Sequence, residues 1–352
     1  MPSLVAITAE GTERFVRALR AAWERGDAVL PIDPRLPPPA CDAVLARLGA
    51  GRPVDDGDAV VVATSGSTGA PKGVVLTFDA LAAAARAVSA RLAVDPAVDS
   101  WLACLPLSHV GGLGVVVRAL LTATPLTVRP AFDPAVDATL VSLVPTLLDR
   151  VDTSRFRVVL AGGAADGRGR APNVVRTYGM TETGGGVVYD GVPLDGVEVR
   201  ADRSGQLLVR GPTLLRCYRD GTDPRDAGGW LPTGDLGEVG PDGRVVVHGR
   251  RSDLIVTGGE NVWPADVEEA LRSHPGIADV AVVGRDDPEW GQRVVAVVVP
   301  AEPGSPPALA DVRAWVKERR PAFAAPRELV LAPALPRTPT GKVARDRLPA
   351  RD

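Results

Sequence analysis

Apolar positions along the chain recur at two spacings. Over residues 10–25, Phe15, Val16, Leu19 and Ala22-Trp23 fall at helical spacing among Arg and Glu and predict an amphipathic helix. Residues 28–32 form a short apolar run and predict a strand, and the run Pro37-Pro38-Pro39 predicts a turn. A second helix is expected over 40–48, then a polar linker over 55–58. The β-branched run 59–63 predicts a buried strand, and 74–77 another. An alanine-rich helix is expected over 79–92 with Asp79 as its cap. Residues 101–113 read as a strand running into a turn and a helix. The alternation continues through 126–128, 138–148 and 158–160, the pattern of a layered α/β domain. Short strands separated by Gly and Asp turns over 191–247 predict a small β-barrel portion. After residue 252 a helix–strand–strand–helix–strand order begins, with helices over 264–273 and 309–319 and strands over 277–283 and 293–299. It predicts a small α+β domain.

Composition narrows the class. A chain of 352 residues can hold two domains, and 45% hydrophobic with 24% charged residues is ordinary for a soluble globular protein. A formal net charge of -3 gives no reason to expect nucleic acid or an anionic membrane as partner. No stretch is long enough to span a membrane and the N-terminus lacks a leader, so a cytoplasmic location is expected. Cys41, Cys104 and Cys217 lack metal-ligand spacing and read as buried apolar residues in a reducing compartment. Of 40 basic residues only Lys72, Lys317 and Lys342 are lysines. Lys317 lies in a charged helical stretch, whereas Lys72 and Lys342 sit in glycine-containing motifs. A compact ammonium on a flexible stem is wanted there.

The densest motif is TSGSTGAPKG, residues 64–73, placed between two strands. Its hydroxyls, glycines and lysine can approach a polyanion, which suggests phosphate binding. An ordinary hairpin turn draws on the same Gly, Ser and Pro. The P-loop of NTPases does not fit, because Lys72 is followed by Gly73 and a strand rather than by Ser or Thr and a helix. TYGMTETGGG, residues 177–186, places Thr181 and Glu182 after Tyr178. A carboxylate beside phosphates suggests a bound magnesium ion. Thr233-Gly234-Asp235 and the glycines of AGGAA, residues 161–165, are weaker signals on their own.

These motifs, with GRRSDLIVTGGENVWPADVE at 249–268 and PRTPTGKVAR at 336–345, resemble in content and order the adenylate-forming superfamily. That superfamily comprises acyl-CoA synthetases, peptide-synthetase adenylation domains and luciferases. Ser67 stands where its loop usually carries Thr.

The resemblance implies the adenylate-forming enzyme fold, with a large N-terminal domain over 1–251. A C-terminal lid over 252–352 would turn about a hinge near Ser252, where relatives usually carry an acidic residue or lysine. The leading subdomain of the family would be missing or cut to about fifty residues. ATP and Mg2+ are implied, and CoA as co-substrate. Thr64, Ser65, Gly66, Ser67, Thr68, Gly69 and Lys72 would hold the β- and γ-phosphates. Gly162, Gly163 and Ala164 would run along adenine, with the Tyr178 ring stacked on it and Gly179 and Met180 beside it. Thr181 would meet the α-phosphate, Glu182 the metal, and Asp235 and Arg250 the ribose. Lys342 would bridge the acyl carboxylate and the α-phosphate. Gly258 and Gly259 would line the pantetheine channel once the lid has turned, with Trp263 either near that channel or in a core. His109 would close over the acyl pocket, though a lone histidine at a turn is also a common structural hydrogen bonder.

Within the superfamily, the short N-terminal region, SHVGGL and TYGMTETGGGVVYDGVPLDGV resemble the o-succinylbenzoate–CoA ligases of menaquinone synthesis. Gly184 and Gly185 would leave room for a small, flat aromatic carboxylic acid. Another aryl- or acyl-CoA ligase would share every motif. A non-catalytic nucleotide- or acyl-binding protein is the alternative of a different class, and a kinase a third. A homodimer is one assembly left open.

Overall fold

The computed structural model describes residues 1–65, 71–148, 150–162, 171–337 and 343–349. The chain opens as a β–α–β unit: β1 (Leu4–Thr8), α1 (Glu13–Glu24) and β2 (Ala28–Ile32), with β1 and β2 parallel from Leu4↔Ala28 to Thr8↔Ile32. β1 is a five-residue edge strand, too short for its alternation to stand out in the sequence. α2 (Pro38–Leu48) starts inside the proline run expected to be a turn, with Pro37 as N-cap. Proline is at home in a first helical turn, whose N–H groups have no partner within the helix.

β3 (Asp58–Ser65) and β4 (Pro71–Thr77) form an antiparallel hairpin that closes at Ser65↔Pro71. α3 (Phe78–Arg91) is capped by Thr77, whose hydroxyl accepts from the Ala80 N–H at 3.2 Å. Asp79, expected to be the cap, lies in the first turn, where its charge complements the helix dipole.

Next come β5 (Trp101–Ala103), α4 (Val110–Leu121), β6 (Leu126–Val128), β7 (Leu140–Leu143), α5 (Pro145–Leu148), β8 (Val158–Gly162), β9 (Val174–Met180), β10 (Gly185–Tyr189) and β11 (Val192–Pro193). Their strands make a seven-stranded sheet in the order β11-β10-β9-β8-β7-β5-β6. It is parallel from β6 to β9, and β10 returns antiparallel to β9.

β12 (Glu198–Ala201) and β13 (Gln206–Arg210) follow, then β14 (Cys217–Tyr218), β15 (Leu231–Val239) and β16 (Val245–Arg250). The expected small barrel is an antiparallel four-stranded sheet in the order β12-β13-β15-β16. Between β13 and β15 the chain detours, so that β14 pairs with β4 and completes the sheet β1-β2-β3-β4-β14.

Alternation sorts the apolar residues into layers. Val60 and Val62 of β3 face a core shared with Phe15, Leu19, Val88 and Trp101, while Val61 faces Leu30, Val44 and Leu48 under α2. Leu102, Val141 and Val159 form a third core on the far face of the seven-stranded sheet.

After a 3-10 turn at Arg251–Asp253 come β17 (Ile255–Thr257), β18 (Glu260–Val262), α6 (Pro264–Arg272), β19 (Ile277–Asp287), β20 (Gly291–Pro300), α7 (Leu309–Lys317) and β21 (Glu328–Leu331). Val294, Ala296 and Val298 of β20 pack against α6 and α7, while Val295 and Val297 pack against Val330 and Leu335. Among the described residues no core cluster joins the two sides of Ser252. No helix there is long and apolar enough to cross a membrane.

Candidate active site

The hairpin β3–β4 carries the phosphate-loop motif at its tip. Thr64 faces Lys72 across it, and the Thr64 hydroxyl donates to the Lys72 carbonyl at 3.4 Å. Gly66, Ser67, Thr68 and Gly69 lie outside the described residues, as do Gly163, Ala164 and Lys342. Ser65 is described only by its backbone pairing with Pro71.

Lys72 reaches the ring of Tyr218, with Nζ 5.0 Å from the centroid. The Tyr218 hydroxyl in turn donates to Glu182 Oε1 at 3.0 Å. Burial, and then the Glu182 carboxylate, push this phenol above its ordinary pKa, so it remains a donor. The strand β14 therefore ties two motifs together: its Tyr218 pairs with Val74 of β4, and just before it the Leu215 N–H donates to the Glu182 carbonyl at 2.8 Å. Sequence reasoning missed Tyr218. No local signal marks it, because the tyrosines on either side of Glu182 in the sequence are Tyr178 and Tyr189, and only the pairing of β14 with β4 brings Tyr218 to the carboxylate.

At the other end of the same stretch the Tyr178 hydroxyl donates to Asp235 Oδ2 at 2.8 Å. Arg250 Nε stands 2.8 Å from Asp235 Oδ1. β15 and β16 pair Asp235 directly with Arg250, which explains why side chains fifteen positions apart meet. Asp235 is buried, and its own N–H donates to the Thr233 hydroxyl at 3.0 Å. Burial first, and the Asp235 charge second, raise the Tyr178 pKa.

Between these ends the glycines are required by the backbone. A Cβ on Gly179 would lie 2.0 Å from the Gly185 carbonyl oxygen. Gly184 and Gly185 have φ of 70° and 121°, in the region that favours glycine. Met180 precedes the 3-10 turn Thr181–Thr183, and its N–H donates to the Thr183 hydroxyl at 2.9 Å. That hydroxyl, another feature absent from the sequence reading, donates to the Gly185 carbonyl at 2.7 Å.

His109 is the N-cap residue of α4, with Nε2 4.0 Å from Asp33 Oδ2. Hydrogen bonding from Arg35 holds the Asp33 carboxyl below its usual range. Asp33, just beyond β2, was not foreseen. Gly162 ends β8 beside Thr177, which places it on the strand neighbouring the Tyr178 motif. Gly258 and Gly259 have φ of 59° and 83° and turn β17 into β18, where the Gly258 N–H donates to the Trp290 carbonyl at 2.8 Å. Trp263, half-buried, stacks on His248 with centroids 5.7 Å apart. The three cysteines are free, and only Cys104 is buried. Burial pushes its thiol up to about 12, whereas Cys41 and Cys217 are part-exposed, contrary to expectation.

Comparison with known proteins follows the same outline. Residues 51–219 match the AMP-binding enzyme family and residues 266–342 the AMP-binding enzyme C-terminal domain. A probable 2-succinylbenzoate–CoA ligase of Mycobacterium tuberculosis is 40% identical over 86% of this chain and 87% of its own length. The 2-succinylbenzoate–CoA ligase of Geobacillus kaustophilus is 33% identical, over 82% of this chain and 68% of its own. The structure is similar to that of o-succinylbenzoate CoA synthetase (MenE) from Bacillus subtilis in complex with the acyl-adenylate intermediate OSB-AMP. The TM-score is 0.86 at 25% identity, covering 99% of this chain and 88% of that one. The same enzyme in complex with ATP and magnesium ion gives 0.84. The chain belongs to the 2-succinylbenzoate–CoA ligase family of adenylate-forming enzymes.

Proposed function

We propose that this chain joins 2-succinylbenzoate to CoA using ATP, through an acyl-adenylate, with release of AMP and pyrophosphate. The observation that carries this reading is the stretch from Tyr178 to Glu182. Its first residue binds the buried Asp235, which the exposed Arg250 also engages, and its last meets Tyr218 and, through that ring, Lys72. A nucleotide laid along the stretch would have its ribose at Asp235 and its phosphates at Lys72.

In the first half-reaction a carboxylate oxygen of the acid attacks the α-phosphorus, and the bond to the β-phosphate breaks. Two anions must approach, so positive charge at the reacting oxygens offsets their repulsion. Lys342 fills that role, while Lys72 and the loop N–H groups take the leaving phosphates. In the second half-reaction the CoA thiol attacks the acyl carbon and AMP departs. The lid turns about Ser252 between the two, exchanging Lys342 for the Gly258-Gly259 face.

Among the described residues no group of three or more His, Cys, Asp or Glu could hold a metal by itself. Magnesium commonly takes one or two carboxylates and completes its shell with phosphate and water. Glu182, beside the phosphate hairpin, fits that donor set and would hold the ion, which would neutralise phosphate charge.

Acid-dependent AMP release tests the reading, with o-succinylbenzoate compared against benzoate and fatty acids. Release with o-succinylbenzoate well above the others is expected. Equal release with a fatty acid would move the chain to another acyl-CoA ligase, and no release with any acid would leave a binding protein.

A further inference from the structure

A pocket of about 160 Å³ opens at the edge of the first sheet, where β4 begins and β14 ends, under the last turn of α2. Arg47, Lys72, Arg219, Asp220 and Tyr218 line it, so three cations face one carboxylate. Gly73 brings these elements together, because a Cβ there would lie 2.9 Å from Cβ of Arg219 and from Leu48. The Arg219 side chain is spent on main-chain carbonyls: Nε donates to Leu48 O at 3.1 Å and Nη2 to Pro53 O at 2.9 Å. These bonds fix the guanidinium without neutralising it. Lys72 rests on the Tyr218 ring, and among the described residues neither it nor Arg47 has a carboxylate within ion-pair distance. Asp220 is held below its usual pKa by the Thr222 N–H, with Lys72 and Arg47 adding to the effect. The excess is two positive charges in a recess whose tyrosine also touches Glu182.

We propose that this pocket binds inorganic pyrophosphate as it leaves, at a station beyond the phosphate loop in which Arg47 is the outer ligand. The identity of the anion rests on the proposed reaction. The pyrophosphate is released there with the electron pair of its broken bond to the α-phosphorus, and nothing further is made or broken in the pocket. Lys72, shared between loop and pocket, would pass the anion outward to Arg47, where solvent completes its release.

Two measurements on the full chain test this. Equilibrium dialysis of radiolabelled inorganic pyrophosphate, without ATP, reads the pocket. Acyl-adenylate formation by the unaltered chain reads the reaction. Arg47→Ala is expected to weaken pyrophosphate binding about tenfold, the loss of one hydrogen bond to a charged group. Arg47→Lys should stay within about threefold, since a point charge suffices for phosphate. Arg86→Ala, on the exposed face of α3, controls for net charge and should bind as the unaltered chain does. Unchanged binding in Arg47→Ala overturns the pocket, as does an equal loss in Arg86→Ala. An unaltered chain that binds pyrophosphate through Arg47 but forms no adenylate overturns the reaction and leaves the pocket standing.

Discussion

Tyr178 holds Asp235: its hydroxyl donates to Oδ2 at 2.8 Å while Arg250 engages Oδ1. A donor on each oxygen fixes the plane of a buried carboxylate. Tyr178→Phe removes one of them and leaves the ring, so Asp235 can rotate away from the position proposed for the ribose. The expected result is a KM for ATP raised about tenfold with a smaller change in kcat, the scale of a hydrogen bond to a charged group. Initial rates at varied ATP check it, and a loss confined to kcat would separate Tyr178 from nucleotide binding.

The two phenols also set an alkaline limit. Tyr178 and Tyr218 have folded pKa values raised above 10.0, chiefly by burial. A raised value means the neutral phenol is favoured in the folded state. That contribution is complete below pH 10 and is lost as pH climbs through the folded values. Melting temperature should therefore fall as pH rises beyond about 10, and Tyr178→Phe with Tyr218→Phe should flatten the fall. An alkaline limb of unchanged slope in the double variant would assign the loss to other groups.

Both motif clusters could be read from residues because each signal is local. TYGMTE stands out in a few positions, TGD gains meaning only from its place in the motif series, and the apolar runs at β2, β3 and β8 match the observed strands closely. Tyr218 and Asp33 escaped because their roles arise from pairing across long separations, β14 onto β4 and the end of β2 against α4. The small β portion was legible as short strands with turns, but nothing local says that residues 217–218 leave its antiparallel sheet for another. The cap is Thr77, two residues before Asp79, a choice set by backbone dihedrals that composition does not reveal.

The glycines of the site divide into two kinds, and substitution should separate them. Gly179→Ala would push a methyl to 2.0 Å from the Gly185 carbonyl oxygen, so β9 and β10 would have to part. A destabilisation of about 1–3 kcal/mol is expected, read by denaturant unfolding, with activity lost alongside folding. At Gly162 the nearest atom is Thr177 Oγ1 at 3.6 Å, ordinary contact. Gly162→Ala should therefore keep its stability while raising the KM for ATP, if this strand end faces the adenine. Equal stability in both variants would contradict the close approach of β9 and β10.

The clearest separation of the two half-reactions is expected in the C-terminal domain, the proposed lid. Arg345, three residues past Lys342, is anchored: Nη1 meets buried Glu268 at 2.7 Å, and Nε approaches Asp253, beside Ser252, at 3.8 Å. The segment that carries the lysine is thus tied at its downstream end to α6 and to the turn where the hinge is proposed. Lys342→Ala should cut acyl-adenylate formation by about 10²–10³, the usual cost of losing a charge-stabilising donor in a transition state. Transfer of supplied acyl-adenylate to CoA should be retained, because the proposed reaction gives the lysine no part in thiol attack. Arg345→Ala should lower both half-reactions together and reduce lid stability, since it strips a partner from a buried carboxylate. Measuring AMP release and thioester formation from synthetic adenylate in each variant gives two ratios. Equal loss of both half-reactions in Lys342→Ala would remove the lysine from its assigned place over the α-phosphate.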